Sequence, residues 1–288
     1  MNVRGKTVDK TYLSIDQAEN RGFIHRDYIA HCFRWSHIAK HMMKGARYKE
    51  ARVLDIGCGR EIPFGKLLYS SKMVPKQYDA VDAGPLNPED VEALKKGKMG
   101  EISHLYPNYC FSSSWPVANY YTDIVCLECA EHVEPAMLKD MLAGMRDSLV
   151  KGYGRLWIST PCWDYVSCAA NHVNEMTYAA FGAMLSDAGF YIENVSGTFA
   201  SISDYKHKMS PAYLEVFNDL RDYYDSNVLS TIFAPMFPAQ SRNCLWECSV
   251  SVTKTRTWKD FADIQQPWGS SSKWREMPLV PLAETIGE

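Results

Sequence analysis

Four residues able to bind a divalent ion or move a proton stand in two short runs of this sequence. Glu128, Glu131 and His132 lie in LECAEHVE, residues 127–134, and His172 lies in NHVNEMT, residues 171–177. Two carboxylates and two imidazoles can bind Mg²⁺, Mn²⁺ or Zn²⁺. Such an ion lowers the pKa of a hydroxyl that it touches. Without a metal, His132 or His172 could act as a general base. In a third reading all four only shape their loops. Glu175 reads as a carboxylate at the start of a following helix.

A second set of residues could hold a ligand through the backbone. VLDIGCGREIPFG, residues 53–65, places Asp55 just before Gly57-x-Gly59. Glycines at such a turn let a ligand approach main chain that a side chain would cover. A dinucleotide fingerprint needs a third glycine opening the helix, but that position is Ile62. The loop also lacks the Gly-Lys-Ser/Thr of a phosphate-binding loop. Asp82 ends the next apolar run, QYDAVD, where a carboxylate can accept bonds from both hydroxyls of a ribose. An acid, two glycines and a second acid after the next strand suit an adenosyl sulfonium.

The elements that must position these groups are legible from apolar runs. Residues 52–56, 77–82, 123–127 and 154–159 read as short, nearly all-apolar strands, as buried parallel strands do. Helical stretches follow at 136–150 and 177–188. Alternating strands and helices imply an α/β protein with a mainly parallel sheet. Residues 190–199 and 245–253 read as two further strands, with a helical insertion around 211–224 between them. Gly22 to Lys49 carries an apolar stripe at three- and four-residue steps, the mark of an amphipathic helix. Its opposite face holds Arg26, Arg34, His37, Lys40, His41 and Lys44 and reads as solvated.

DIGCG, AVDAG, DIVCLECAEHVE and GRLWISTP, in that order, resemble the motifs of class I S-adenosylmethionine-dependent methyltransferases of the type 11-like kind. The resemblance spans residues 51–253. It implies a Rossmann-like, seven-stranded, mainly parallel sheet with helices on both faces and an antiparallel last strand. It also implies methyl transfer from S-adenosylmethionine. Asp55, Gly57 and Gly59 would lie against the amino-acid end of the cofactor, Asp82 would grip the ribose, and Glu128 would join the cofactor contacts. The family's adenine-binding Asp after strand three is missing from YCFSSSW, residues 109–115. Ser112 or Ser113 could bond the adenine edge there, Ser113 being the candidate carried forward. Trp115 could stack on the ring or belong to the core. The ExxEH run with its later His resembles small-RNA 3′-end 2′-O-methyltransferases and ubiquinone-type O-methyltransferases. That likeness implies transfer to an oxygen, assisted by Glu131, His132 and His172, with Glu128 as a fourth ligand of any divalent ion. The Asp/Asn-Pro-Pro-Tyr/Phe motif of amino-methylating DNA enzymes does not occur.

Composition narrows the remaining choices. The chain has 288 residues, 31 Lys and Arg against 34 Asp and Glu, and 46% apolar residues, so it is neither a basic coat nor an acidic tail. No apolar run is long enough to span a membrane, and none of signal-peptide length opens the chain. The nine cysteines are scattered through apolar runs, which argues for reduced thiols in a cytoplasmic protein. Cys126 and Cys129 have CxxC spacing but lack a second pair to complete a zinc site. Residues 1–50 carry ten Lys or Arg against five acids and are expected to abut the cleft. A small molecule, a nucleotide or a nucleic-acid end would suit that excess as acceptor. The expected organisation is a helical cap over 1–46, a cofactor-binding domain over 47–254 with an insertion near 205–235, and a Trp-containing tail over 255–288. A homodimer is compatible with this reading. The competing class is a catalytically silent binding or assembly subunit on the same fold, whose mark would be a lost glycine loop.

Overall fold

The computed structural model describes residues 26–163, 169 and 171–251; the tail tryptophans Trp258, Trp268 and Trp274 lie outside them. Among the described residues seven strands form one sheet: β1 (Arg52–Ile56), β2 (Gln77–Val81), β3 (Ser103–Tyr106), β4 (Asp123–Leu127), β5 (Arg155–Pro161), β6 (Tyr191–Phe199) and β7 (Asn243–Ser249). Their order is β3-β2-β1-β4-β5-β7-β6. The pairings among β1 to β5 are parallel, and β7 runs antiparallel to both β5 and β6. This is the sheet that the resemblance to class I methyltransferases implies, its last strand reversed.

Successive strand residues point to opposite faces, and the two faces build two cores. Leu54, Ile56, Ile124, Cys126, Leu156, Ile158 and Trp246 face one core, with residues of α5 (Pro135–Ser148) and α6 (Tyr178–Asp187). Val53, Tyr78, Ala80, Val125, Trp157 and Leu245 face the other, with residues of α1 (Arg26–Met43) and α2 (Pro63–Ser70). The helix α3 (Pro88–Lys96) and the short α4 (Met99–Ile102) lie between β2 and β3. Between β6 and β7 the chain is helical: α7 (Ile202–Tyr205), α8 (Pro211–Leu220) and α9 (Ser226–Phe233). These elements enclose a third apolar cluster that includes Tyr205, Phe217, Leu229 and Phe237.

Local chemistry sets the helix ends. Pro135 opens α5, where a missing N–H costs nothing. Thr177 caps α6 by accepting from the Ala180 N–H at 3.1 Å. The N-terminal helix stops sooner than the apolar stripe suggests. It ends at Met43 and continues as a 3₁₀ helix over Lys44–Glu50, a tightening to which Gly45, a weak helix former, contributes. The last strand begins at Asn243, two residues before the expected Leu245, because its polar first residue is paired to Pro161 of β5.

α1 crosses its face of the sheet from edge to edge. Near the carboxyl edge Arg34 bonds Thr198, at the end of β6, and Asn243, at the start of reversed β7. At the amino edge Arg47, just past the helix, pairs with Asp123 at the start of β4 (3.7 Å).

Candidate active site

The glycine loop leaves β1 at the carboxyl edge. Gly57 and Gly59 have φ of 65° and 73°, conformations that favour glycine. A Cβ on Gly57 would sit 2.8 Å from Cys129 Sγ, whereas one on Gly59 would meet nothing nearer than Pro63 Cδ at 4.0 Å. Gly57 is therefore a packing requirement, and Gly59 leaves open space before the main chain. Ile62 stands where a third glycine would be, and it holds a left-handed conformation, φ 49° and ψ 52°, at the start of α2. This is costly for a β-branched residue, and the complete burial of its side chain offsets it.

Asp82 ties the loop together. Its Oδ2 accepts from the Gly59 N–H at 2.8 Å and its Oδ1 from the Gly84 N–H at 2.7 Å. A carboxylate has about four acceptor positions, so both oxygens keep capacity for hydroxyl donors. Asp55 lies deeper, accepting from the Tyr78 hydroxyl at 2.7 Å. Burial pushes its carboxyl up to about 7, against the pull of the Tyr78 bond.

A cavity of about 290 Å³ opens beside this loop. Gly57, Gly59 and Asp82 line one side, Glu128, Cys129 and His132 another, and Tyr109, Phe111, Met137 and Met141 give apolar wall. The volume is at the low end for small-molecule sites, about 300–1,000 Å³. Ser113 is exposed and does not line it; the wall after β3 is Tyr109, Cys110 and Phe111 instead. The backbone turns at Ser113 to pack on Gly144 of α5, which carries its hydroxyl away. Trp115 belongs to the core, edge-on to Tyr106 and Tyr109 and tilted against Phe111.

The Glu-His cluster assembles with one member turned aside. Glu131, His132 and His172 each offer a ligand atom, and these lie within 4.8 Å of one another. The imidazole rings of His132 and His172 meet edge-on at 4.8 Å, and His132 Nε2 is 4.0 Å from Glu131 Oε1. His132 Nδ1 bonds the Asn171 carbonyl at 3.0 Å. A carbonyl only accepts, so Nδ1 carries the proton and a neutral ring has its lone pair on Nε2. His172 Nδ1 makes a short bond to Glu175. Glu175 thus orients His172 and is not a helix-end carboxylate: α6 begins at Tyr178, with Thr177 as its cap. Imidazoles braced at one nitrogen by a carbonyl or carboxylate are the usual supports of metal ligands. Burial and the nearby Glu128 charge push the Glu131 carboxyl up to about 9, so without a cation it holds its proton at neutral pH.

Glu128 is committed elsewhere. It has a left-handed φ of 53° at the exit of β4, a strain of the kind found at functional sites. Its Oε1 accepts from Ser159 Oγ and its Oε2 from Asn243 Nδ2, both at 2.7 Å. Arg34 Nη1 stands 3.6 Å from Oε1. Burial alone would raise Glu128, but Arg34, Ser159, His31 and Asn243 outweigh it and hold the carboxyl below its ordinary range. Glu128 therefore lines the cavity but stands outside the cluster of three candidate ligands. The pattern of residue types could not reveal this, because its partners are 31, 115 and 94 positions away in the chain.

Arg34 departs furthest from the sequence reading. Expected on a solvated face, it is 1% exposed. Its guanidinium bonds Thr198 Oγ1 at 3.0 Å, Asn243 Oδ1 at 3.4 Å and His31 Nδ1 at 2.8 Å. Three basic groups further along lie away from the cleft. His37 and His41 lie against Trp157, and Arg47 reaches the amino edge of the sheet. The cysteines at 126 and 129 are free thiols.

No protein-family profile matches the chain, and no curated protein matches it in sequence. Among solved structures it is similar to the 1,6-didemethyltoxoflavin-N1-methyltransferase of Burkholderia thailandensis, solved with S-adenosylhomocysteine. That likeness has 16% identity, 73% of this chain and 75% of that one covered, and a TM-score of 0.48. It is also similar to the methyltransferase domain of bacterial CtHen1-C, with 14% identity, 77% and 100% coverage and a TM-score of 0.47. A third similar structure is the cyclase SpnF, with 14% identity, 69% and 74% coverage and a TM-score of 0.42. At these identities the likeness is one of fold. Among the described residues, no helix is long and apolar enough to cross a membrane.

Proposed function

We propose that this protein is an S-adenosylmethionine-dependent methyltransferase that methylates an oxygen with the help of a divalent ion. One observation carries the reading: the same cavity is lined by Gly57, Gly59 and Asp82 on one side and by His132 on the other. A nucleoside held by the loop would therefore face the Glu-His cluster across a single space. The cofactor's sulfonium supplies an electrophilic methyl group. Asp82 accepts the ribose hydroxyls, Gly59 opens the main chain to the ligand, and Tyr109, Phe111, Met137 and Met141 offer apolar contact.

Glu131, His132 and His172 fit a divalent ion in their chemistry and in their bracing by Asn171 and Glu175. Two imidazoles and a carboxylate are a familiar three-ligand set that leaves a position open for substrate. An unactivated hydroxyl is a poor nucleophile at neutral pH, and an ion here would acidify it. Glu128 anchors Arg34 and Asn243 and shapes the acceptor side. A small molecule, a nucleotide or a nucleic-acid end would enter past His132.

The test is transfer of a labelled methyl group from S-adenosylmethionine to pooled hydroxyl-bearing metabolites, nucleotides and short RNAs, with and without EDTA. Labelled product that EDTA abolishes and Mg²⁺, Mn²⁺ or Zn²⁺ restores supports the reading. EDTA-indifferent transfer assigns His132 or His172 as a base. Failure to bind cofactor at all returns the protein to the binding-subunit class.

A further inference from the structure

We propose that His37, His41 and Glu247 form a separate Zn²⁺ site that fastens the C-terminal half of α1 to the sheet. This site is independent of the methyltransferase reading. His37 and His41 are one helical turn apart on α1, and their rings lie 4.8 Å from centre to centre. Both stand edge-on to the Trp157 ring, at 6.1 and 5.1 Å, which limits their rotation. Glu247 is the register partner of Trp157 on β7, so the two strands present it on the same face. One ligand atom from each of the three residues lies within 4.8 Å of the others.

The spacing favours an ion over a hydrogen bond. His41 Nδ1 is 3.6 Å from Glu247 Oε1, too long for a direct bond. Two ligands on a tetrahedral zinc, with bonds of about 2.0–2.1 Å, stand about 3.4 Å apart. With the ligand atoms within 4.8 Å of one another, closing the site needs side-chain shifts of up to about 1.4 Å. The ligand types select the metal: two imidazoles and a carboxylate suit zinc, whereas Mg²⁺ and Ca²⁺ prefer all-oxygen sites.

Burial and nearby cations act on both imidazoles. Burial, with Lys40 and Lys44, pulls His37 below its ordinary value. Burial, with His37, Lys44, Arg155 and Arg47, pulls His41 to about 4. The same cations oppose an incoming ion, but two of them are engaged. Arg47 pairs with Asp123, and Arg155 donates to the very oxygen of Glu247 that faces His41. A ligating carboxylate commonly carries such a second hydrogen bond. The consequence reaches the active site, because α1 also carries Arg34, which holds Glu128 at the cavity.

The experiment uses the full chain, tag-free and stripped of metal, titrated with ZnCl₂ by calorimetry and followed by thermal melting. His132→Gln/His172→Gln disables the candidate active-site cluster, and His37→Gln/His41→Gln and Glu247→Gln disable the proposed one. The first double variant should still bind one zinc. With free zinc at about 100 times Kd, its melting temperature should rise by roughly 5–10 °C. The second double variant should lose that zinc and that rise, and Glu247→Gln should weaken binding at least tenfold. Co²⁺ should give visible absorption bands of a four-coordinate site in the first variant and not when all four histidines are replaced. The proposal is overturned if the first double variant binds no zinc, or if His37→Gln/His41→Gln and Glu247→Gln, folded by circular dichroism, bind as the wild type does. Neither result bears on cofactor binding, so this failure and failure of the methyltransferase reading are separable.

Discussion

Replacing Arg34 by Met removes a buried charge while keeping most of the side chain's length. Arg34 is 1% exposed, and its Nη1 is 3.6 Å from Glu128 Oε1. Removing one partner of a fully buried pair costs about 3–5 kcal/mol, because the other charge is stranded, and here Glu128 is only half-buried, its side chain 24% exposed. Glu128 keeps its bonds to Ser159 and Asn243, and Thr198 keeps its 2.7 Å bond to Asn243. The loss should therefore fall at the lower end, about 3 kcal/mol. At roughly 2–4 °C per kcal/mol for a domain of this size, the melting temperature should drop by about 6–12 °C. Urea unfolding at neutral pH, followed by Trp fluorescence, gives the free energy directly. Glu128→Gln in the same protein removes the stranded charge, so the double variant should recover about 1–2 kcal/mol of the loss. An Arg34→Met protein within about 0.5 kcal/mol of wild type, or a double variant no better than the single, would refute the claim that Arg34 holds the half-buried Glu128.

Asp55→Asn should stabilise the cofactor-free protein at pH 8. A carboxyl raised from 3.8 to about 7 on folding gives stability that is complete below 3.8 and lost as pH rises through 7, so the advantage of Asn should vanish below pH 4. Above pH 7 that advantage should be a few kcal/mol, at about 1.4 kcal/mol for each pH unit between the two values, as read from melting curves across pH. Gly57→Ala should unfold more easily than Gly59→Ala, since both incur about 1–2 kcal/mol for the left-handed backbone but only the first drives a methyl into Cys129; equal melting temperatures would contradict that packing. If the ion route holds, His132→Gln and His172→Gln should each abolish most methyl transfer while leaving S-adenosylhomocysteine affinity within a few fold, and Glu175→Gln should lower metal affinity about 10–100-fold through His172.

Most of the sheet was legible because β1, β2, β4 and β5 are short runs buried on both faces, whereas the edge strand β3, SHLY, alternates half-buried and exposed residues and left no such mark in the sequence. The glycine loop was legible because positive φ leaves its mark as residue type at Gly57 and Gly59. What local pattern does not encode is which distant group a side chain meets. Arg34 shares a four-residue row with the buried Ala30, Ile38 and Met42, but its charge hid that position, and its partners Thr198 and Asn243 come from 164 and 209 residues further along. Glu128 has the right type and spacing for a metal ligand, but β5, β7 and α1 each bring it a competing partner. Asn243 looked like a residue before the strand and proves to be its first, turned toward the site. Ser113 offered the right chemistry for an adenine edge, while packing against Gly144 turned it to solvent. The three-residue step from His172 to Glu175 was the signal for their contact, a spacing that the helix-start reading absorbed.

Calorimetric titration of S-adenosylhomocysteine into wild-type protein and Asp82→Asn, both confirmed as folded, tests the central claim most directly. The product is unreactive, so binding is measured without knowledge of the acceptor. The account predicts one molecule bound per chain by the wild type. It predicts about 10–150-fold weaker binding by Asp82→Asn, the equivalent of losing charged hydrogen bonds of about 1.5–3 kcal/mol. No binding by the wild type at millimolar ligand, or equal affinity in the variant, would contradict it.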